Sequence, residues 1–224
     1  MRSAFGASIV IGDGKFFVAV VAAGVTGFTV PVVSEPSPAF RVLFSHMDIL
    51  RRSHEMVREL RACLGDEPPC LVQVIQGARP FARLIQSGLA GSLPLHDVRA
   101  RSYAGTESTG EVKITMMGSL TADAVKDREV VLLEDIVDTG RTIAALREHF
   151  LGMGARKVRV VSLLSKPSRR VVDVEVEHIG FDIPDEFVIG FGMDLNERYR
   201  DLPDIVVYDQ DVERAFARPN TTCT

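Results

Sequence analysis

Apolar and polar positions fall in blocks along this chain. LVQVIQ (71–76), EVVLLE (129–134) and KVRVVSLLS (157–165) are short, nearly continuous apolar runs, the pattern of strands covered on both faces of a sheet. Between them the periodicity changes to that of helices. Over 46–64, Ile49, Leu50, Met56, Val57, Leu60 and Leu64 recur near helical spacing with charges between them. RPFARLIQSGL follows the first run and predicts a helix, with Pro80 tolerated in its first turn. Ile143, Leu146, Phe150 and Leu151 share one face of a helix over 140–151 that stops at Gly152 and Gly154. LPLHDVRARSY (93–103) is a further strand, and shorter β segments follow around 174–181, 186–191 and 205–208. AGTESTGEV (104–112) is small, polar and poor in apolar anchors, which predicts a mobile loop. The strand–helix–strand alternation predicts an α/β fold with a central, mainly parallel sheet flanked by helices.

The first 44 residues differ. They read as β-rich and irregular, with PVVSEPSPAF as a proline-rich connector. FFVAVVAAGVTGFTVPVV (16–33) carries no charge and just reaches the length of a membrane span. Glycine, threonine and Pro31 interrupt it, and Asp13 beside Lys15 is not the basic lead of an export signal. It predicts paired short strands across an Ala23–Gly27 turn, and no later segment reads as a membrane helix.

Composition narrows the function classes. The 224 residues suit one large domain or one domain with a small appendage; 46% are hydrophobic and 25% charged, ordinary for a globular protein. A net charge of -4 argues against non-specific nucleic-acid binding. Three cysteines (Cys63, Cys70, Cys223) form no CxxC pair, which favours a reducing compartment. With no peroxisomal tripeptide at the end, the expectation is a cytoplasmic protein without nucleic-acid or membrane partners. The five histidines make no HExxH and no cluster with cysteine, so zinc is not expected, and no GxSxG hydrolase elbow is present.

One stretch gathers the chemistry. In VLLEDIVDTGRTIAAL (131–146) an apolar run ends in Glu134, Asp135 and Asp138, then Thr139, Gly140, Arg141 and Thr142 open a helix. A fold gains nothing from repelling carboxylates at a strand end. The free amides and dipole of a helix start hold an anion, Gly140 permits close backbone approach, and two hydroxyls and Arg141 add donors. Simple capping by Asp138 or Thr139 accounts for one acid and leaves Glu134 and Asp135 over. Neither the Walker nor the Rossmann glycine pattern is present. Two carboxylates before a phosphate cradle suit the vicinal hydroxyls of a sugar or a magnesium ion. In open α/β sheets this is also where ligands bind, beyond the carboxyl ends of the strands.

VVLLEDIVDTGRT resembles the signature of type I phosphoribosyltransferases, which bind phosphoribosyl pyrophosphate (PRPP). RSYAGTESTGEVKI (101–114), SLLSKPSRR (162–170) and HIGFDIPDEFVIGFGMDLNERYRDLP (178–203) are similar, in order, to hypoxanthine-guanine phosphoribosyltransferases, over roughly residues 44–210. The resemblance implies the type I phosphoribosyltransferase fold with a small hood subdomain. It implies a β-rich extension and part of the hood at 1–44, the phosphoribosyltransferase core at 45–210 and a tail at 211–224. It implies transfer of a phosphoribosyl group from PRPP to N9 of hypoxanthine or guanine, giving IMP or GMP. Glu134 and Asp135 would hold the ribose hydroxyls and, through water, Mg2+. Residues 138–142 (Asp138, Thr139, Gly140, Arg141, Thr142) would cradle the 5′-phosphate, with Asp138 also the general base near purine N7. Lys166 would donate to the 6-oxo group, Phe187 would stack on the ring, and the Val188 backbone would meet the pyrimidine edge. Asp194 would bind a second Mg2+. Gly77 and Arg200 would meet the pyrophosphate, and Ser102 and Tyr103 would belong to a closing lid. A homodimer or homotetramer is the expected assembly.

Lysine carries only donors, so at that position it suits a carbonyl acceptor and disfavours the amino group of adenine. Taken singly, Lys166, Asp194 and Arg200 are surface charges and Phe187 a core aromatic. One departure stands out: Gln76-Gly77 occupies the place where many relatives have Lys-Gly, with Arg79 as a partial substitute. Two other readings therefore stand beside the salvage enzyme. One is a PRPP- or nucleotide-binding regulator on the same fold with weak or no catalysis; the other is a xanthine-preferring variant.

Overall fold

Runs of valine and leucine form the middle of the sheet because both of their faces are covered. β4 (Cys70–Val74), β7 (Glu129–Val137) and β8 (Lys157–Ser165) are almost wholly buried. The structure, a computed structural model, describes residues 6–12, 15–21, 40–90, 93–102 and 112–209. By its contacts the chain divides into two units, Met1–Phe40 with Asp209–Thr224, and Arg41–Tyr208.

In the first unit β1 (Gly6–Gly12) and β2 (Lys15–Val21) pair antiparallel, with Gly12 opposite Lys15. The strand from Lys15 thus pairs with the segment before it, a partner not anticipated from sequence. In sequence, Asp13-Gly14 between two apolar runs is a hairpin signal that agrees with this pairing. The expected Ala23–Gly27 turn lies outside the described residues.

The second unit is built on a six-stranded sheet of order β6-β5-β4-β7-β8-β9, completed by β5 (Leu95–Ser102), β6 (Val112–Met117) and β9 (His178–Asp182). All neighbours run parallel except β5 and β6. A second sheet takes β10 (Val188–Ile189), β11 (Ile205–Tyr208) and β3 (Phe40–Phe44). Alternate residues of the central strands feed two cores. Leu71, Val131, Leu133 and Val161 join α1 (His46–Cys63) and α2 (Arg79–Ala90); Val72, Leu132 and Val160 join α4 (Arg141–Gly152) and α3 (Ala122–Val125).

Local chemistry sets the helix ends. Ser45 and Asp48 form a reciprocal capping box at the start of α1, whose buried stripe is Ile49, Ser53, Met56, Val57 and Leu60. Arg52 then fastens α1 to the last strand by donating to the carbonyls of Ile179 and Gly180, at 2.8 and 3.0 Å. From β4 the chain proceeds through α2 to β5 on one side; from β7 it proceeds through α4 to β8 on the other. The strand order therefore reverses between β4 and β7, and the crevice at their carboxyl ends is the expected ligand position.

Candidate functional site

The acids begin inside the sheet. Glu134 is buried on β7, in register with Ser162 of β8, and its Oε2 is buried with no hydrogen-bond partner. Burial raises its carboxyl well above the usual carboxylate range, and the neighbouring Asp135 charge adds to the effect. Asp135 accepts from the Ile136 amide at 3.0 Å through Oδ1. Its Oδ2 lies against Gly77, where an added Cβ would stand only 1.7 Å from it. A side chain at 77 would therefore displace the Asp135 carboxylate from the β4–α2 turn. The Ile75–Gln76 peptide bond in that turn is cis.

Beyond β7 the chain turns at Gly140, with φ +85°, and α4 starts without a side-chain cap. Gly140, lacking a side chain, gives the first amides of α4 no capping oxygen. Thr139 Oγ1 takes only a long 3.5 Å contact from the Arg141 amide. Glu134, Asp138, Thr139, Gly140, Thr142 and Ile143 line a cavity of about 90 Å³ here.

The segment after β8 braces this turn from behind. Lys166 N–H donates to the Val137 carbonyl at 3.0 Å, and the Val171 and Val172 amides both donate to Thr139 O at 3.1 Å. Arg170 Nη1 donates to Val137 O at 2.6 Å and also to Asp138 O, while its Nη2 reaches Ser165 Oγ at 3.1 Å. Lys166 is buried, with Nζ 3.7 Å from Asp185 Oδ1. Arg169 Nε donates to Asp138 Oδ1 at 3.1 Å, and its Nη1 reaches Asp185 Oδ2 at 3.5 Å. Arg169, Arg170 and Asp185 were not singled out from sequence, although the two arginines stand in SLLSKPSRR, four and five residues past the end of β8.

Phe187 sits just before β10 and is 51% exposed, an unusual state for phenylalanine; its ring meets Tyr208 edge-on. Val188 is buried as the first residue of β10. Asp194 and Arg200 face each other at 2.8 Å, and Asp194 Oδ2 also accepts from the Glu197 amide. Arg200 Nη1 donates to Gly192 O at 2.8 Å. Gly192 in turn abuts Gly77, since a Cβ there would stand 2.1 Å from the Gly77 carbonyl oxygen. Gly77 thus links the Asp135 side of the crevice to the Asp194–Arg200 segment. Arg79 turns to Asp97, at 3.4 Å, and Gln76 is exposed. Ser102 ends β5. Tyr103 and the expected lid through residue 111 lie outside the described residues.

The family model for the phosphoribosyl transferase domain matches residues 42–196. The hypoxanthine-guanine phosphoribosyltransferase of Streptococcus thermophilus is 36% identical over 173 residues, covering 77% of this chain and 94% of that protein. Among solved structures, the hypoxanthine phosphoribosyltransferase of Staphylococcus aureus superimposes with a TM-score of 0.70 at 32% identity, covering 77% of this chain and 92% of that one. A hypoxanthine-guanine phosphoribosyltransferase of Bacillus anthracis does so with 0.70 at 30% identity, covering 75% and 98%.

Proposed function

The chain belongs to the phosphoribosyl transferase family, and from that premise we propose that it is a purine-salvage enzyme joining the phosphoribosyl group of PRPP to N9 of hypoxanthine or guanine. The bond from the anomeric carbon to pyrophosphate breaks, the bond to N9 forms, and the purine gives up a proton. The products are IMP or GMP and pyrophosphate. One observation supports this reading: the Lys166 backbone N–H donates to Val137 O, so the residue whose ammonium group would meet the purine is tied to the acid-and-amide turn.

In this scheme the uncapped amides at 139–142 and the threonine hydroxyls hold the 5′-phosphate, with the dipole of α4 adding attraction. Glu134 and Asp135 accept from the ribose hydroxyls. Asp138 accepts the purine proton, a contribution of about 100-fold or more. Lys166 donates to the 6-oxo oxygen, Phe187 stacks on the ring, and the Val188 backbone meets its pyrimidine edge. Arg200, aided by the Gly77 turn, faces the departing pyrophosphate. Ser102 and Tyr103 open the segment that would cover the site and exclude competing water.

The residues suit a divalent cation. Glu134 offers an orphaned buried carboxylate oxygen beside a second carboxylate, a hard-oxygen environment for Mg2+. Among the described residues no three His, Cys, Asp or Glu side chains converge, so the Glu134–Asp135 pair and Asp194 would act as separate supports. Bound Mg2+ would supply positive charge to the pyrophosphate oxygens.

An assay with PRPP, Mg2+ and each of hypoxanthine, guanine, xanthine and adenine tests the proposal. Turnover with hypoxanthine or guanine, none with adenine, and a fall in kcat of about 100-fold in Asp138→Ala with smaller changes in KM are expected. A second reading, a PRPP-binding regulator, is favoured by exposed Gln76 and by Arg79 turning to Asp97, since neither supplies the missing positive charge. Tight PRPP binding without turnover on any base would select it. Xanthine as the best substrate would select the xanthine-preferring variant. Assembly as a homodimer or homotetramer completes the proposal, and light scattering of the purified chain tests it.

A further inference from the structure

The corner that braces Asp138 contains a second layer of charge. Four groups alternate in sign: the Asp138 carboxylate, Arg169, Asp185 and Lys166. The successive separations are 3.1, 3.5 and 3.7 Å. Arg170, one residue on, holds the main chain of the turn at the Val137 and Asp138 carbonyls. Arg169 instead holds the side chain. Among the described residues it is the hydrogen-bond donor to the Asp138 carboxylate, and it occupies Oδ1. Oδ2 is left as the oxygen available to a purine. The Asp138 side chain is 40% exposed, so without that bond it has solvent-filled room to rotate.

We propose that Arg169 is a positioning residue for Asp138, aimed in its turn by Asp185, and that the pair fixes the carboxylate for the proton it accepts. The inference rests on the function proposed above. Stability is a poor explanation of the contacts. Arg169 and Asp185 are about half exposed, and ion pairs in such places add little to folding. Their geometry matters for another reason: a carboxylate held by one oxygen presents the other in a single direction, which is preorganisation of a reacting group. Asp185 also approaches Lys166, so one acid orients both the arm that holds the base and the ammonium meant for the 6-oxo group.

The full chain is assayed with hypoxanthine and PRPP as wild type, Arg169→Ala, Arg169→Lys, Asp185→Asn, and Arg169→Ala combined with Asp138→Ala. Loss of orientation should lower kcat about 10-fold in Arg169→Ala, with the KM for PRPP within about 2-fold. Lysine supplies one charged donor without the planar fork, so Arg169→Lys should recover to within about 3-fold of wild type. Asp185→Asn should show a milder loss in the same direction. In the Asp138→Ala background, Arg169→Ala should cost nothing further, because the group it positions is gone. A wild-type kcat in Arg169→Ala, a defect confined to KM, or an undiminished defect in the double variant overturns the proposal. If Arg169→Ala melts as an unfolded chain, Arg169→Lys and Asp185→Asn decide by the same split of kcat from KM. A wild-type chain that turns over no purine fails the functional reading itself; an active wild type indifferent to Arg169 fails this inference alone.

Discussion

Lys166 shows how far a single residue can be understood from its neighbours in sequence. Alone, lysine belongs in solvent; here its side chain is only 10% exposed, at the carboxyl end of a buried strand. A charge kept there has a use. Replacing it with alanine should remove the donor proposed to separate oxo- from aminopurines. The ratio of kcat/KM for hypoxanthine over adenine should then fall about 10- to 100-fold, the usual worth of a hydrogen bond to a charged group. Gln76 makes the complementary case, because the departure from lysine was visible at once. Gln76→Lys should place positive charge near the proposed pyrophosphate position and lower the KM for PRPP about 3-fold or more, an effect that shrinks as salt is raised. Arg79 does not compensate, since Asp97 engages it. The candidate residues that sequence alone brought together were those crowded into one run, 134–142; Lys166, Phe187, Val188, Asp194 and Arg200 were named only through the family resemblance. Arg169 and Asp185 were not, because their meaning is a partnership with Asp138 and Lys166 across 31 and 19 positions of chain (169 − 138 and 185 − 166).

Elements followed the same rule. β4, β7, β8, α1, α2 and α4 were readable because each repeats one period over its length, buried on both faces or striped on one. β6 was missed: it is a short antiparallel edge in which no residue is fully buried, so it lacks the continuous apolar run that marks the central strands. In the hairpin β1–β2 the strand from Lys15 was recognised, while its pairing with β1 was not anticipated. The turn between β7 and α4 was read correctly as a helix start needing glycine, and its geometry sharpens that reading. Gly140 has φ +85°, and a Cβ would stand 2.7 Å from the Val172 carbonyl oxygen. Gly140→Ala should therefore cost about 1–3 kcal/mol in urea unfolding, from backbone strain alone. It should also raise the KM for PRPP, because the amides displaced are those proposed to hold the 5′-phosphate. Gly152→Ala at the other end of α4 is the control: it meets open space, and unfolding free energy should hold or rise by up to about 1 kcal/mol.

For the molecule as a whole, the α/β class and parallel order followed from the alternation of elements, and so did the crevice between β4 and β7. Sequence could not say how the segment bearing Asp194 and Arg200, continuous with the second sheet, reaches the first. The structure supplies the joint: Gly192, at φ +99°, lies with the place of its missing Cβ 2.1 Å from Gly77 O and 2.8 Å from Pro80 Cδ. Two glycines thus meet where no side chain fits, and Gly77 in turn meets Asp135. This joint should transmit damage to residues it does not contain. In Gly192→Ala both φ and the contact are violated, so the 190s segment must move off the β4–α2 turn and carry Arg200 with it. The KM for PRPP should rise about 10-fold or more, since small misplacements of binding groups are costly, while the KM for hypoxanthine changes less. Melting temperature should fall by about 2–4 °C for each kcal/mol of strain. Gly65→Ala, which meets nothing within 4 Å, should leave both quantities unchanged. Equal KM values for PRPP in the two variants would mean that the pyrophosphate side of the crevice does not depend on this joint.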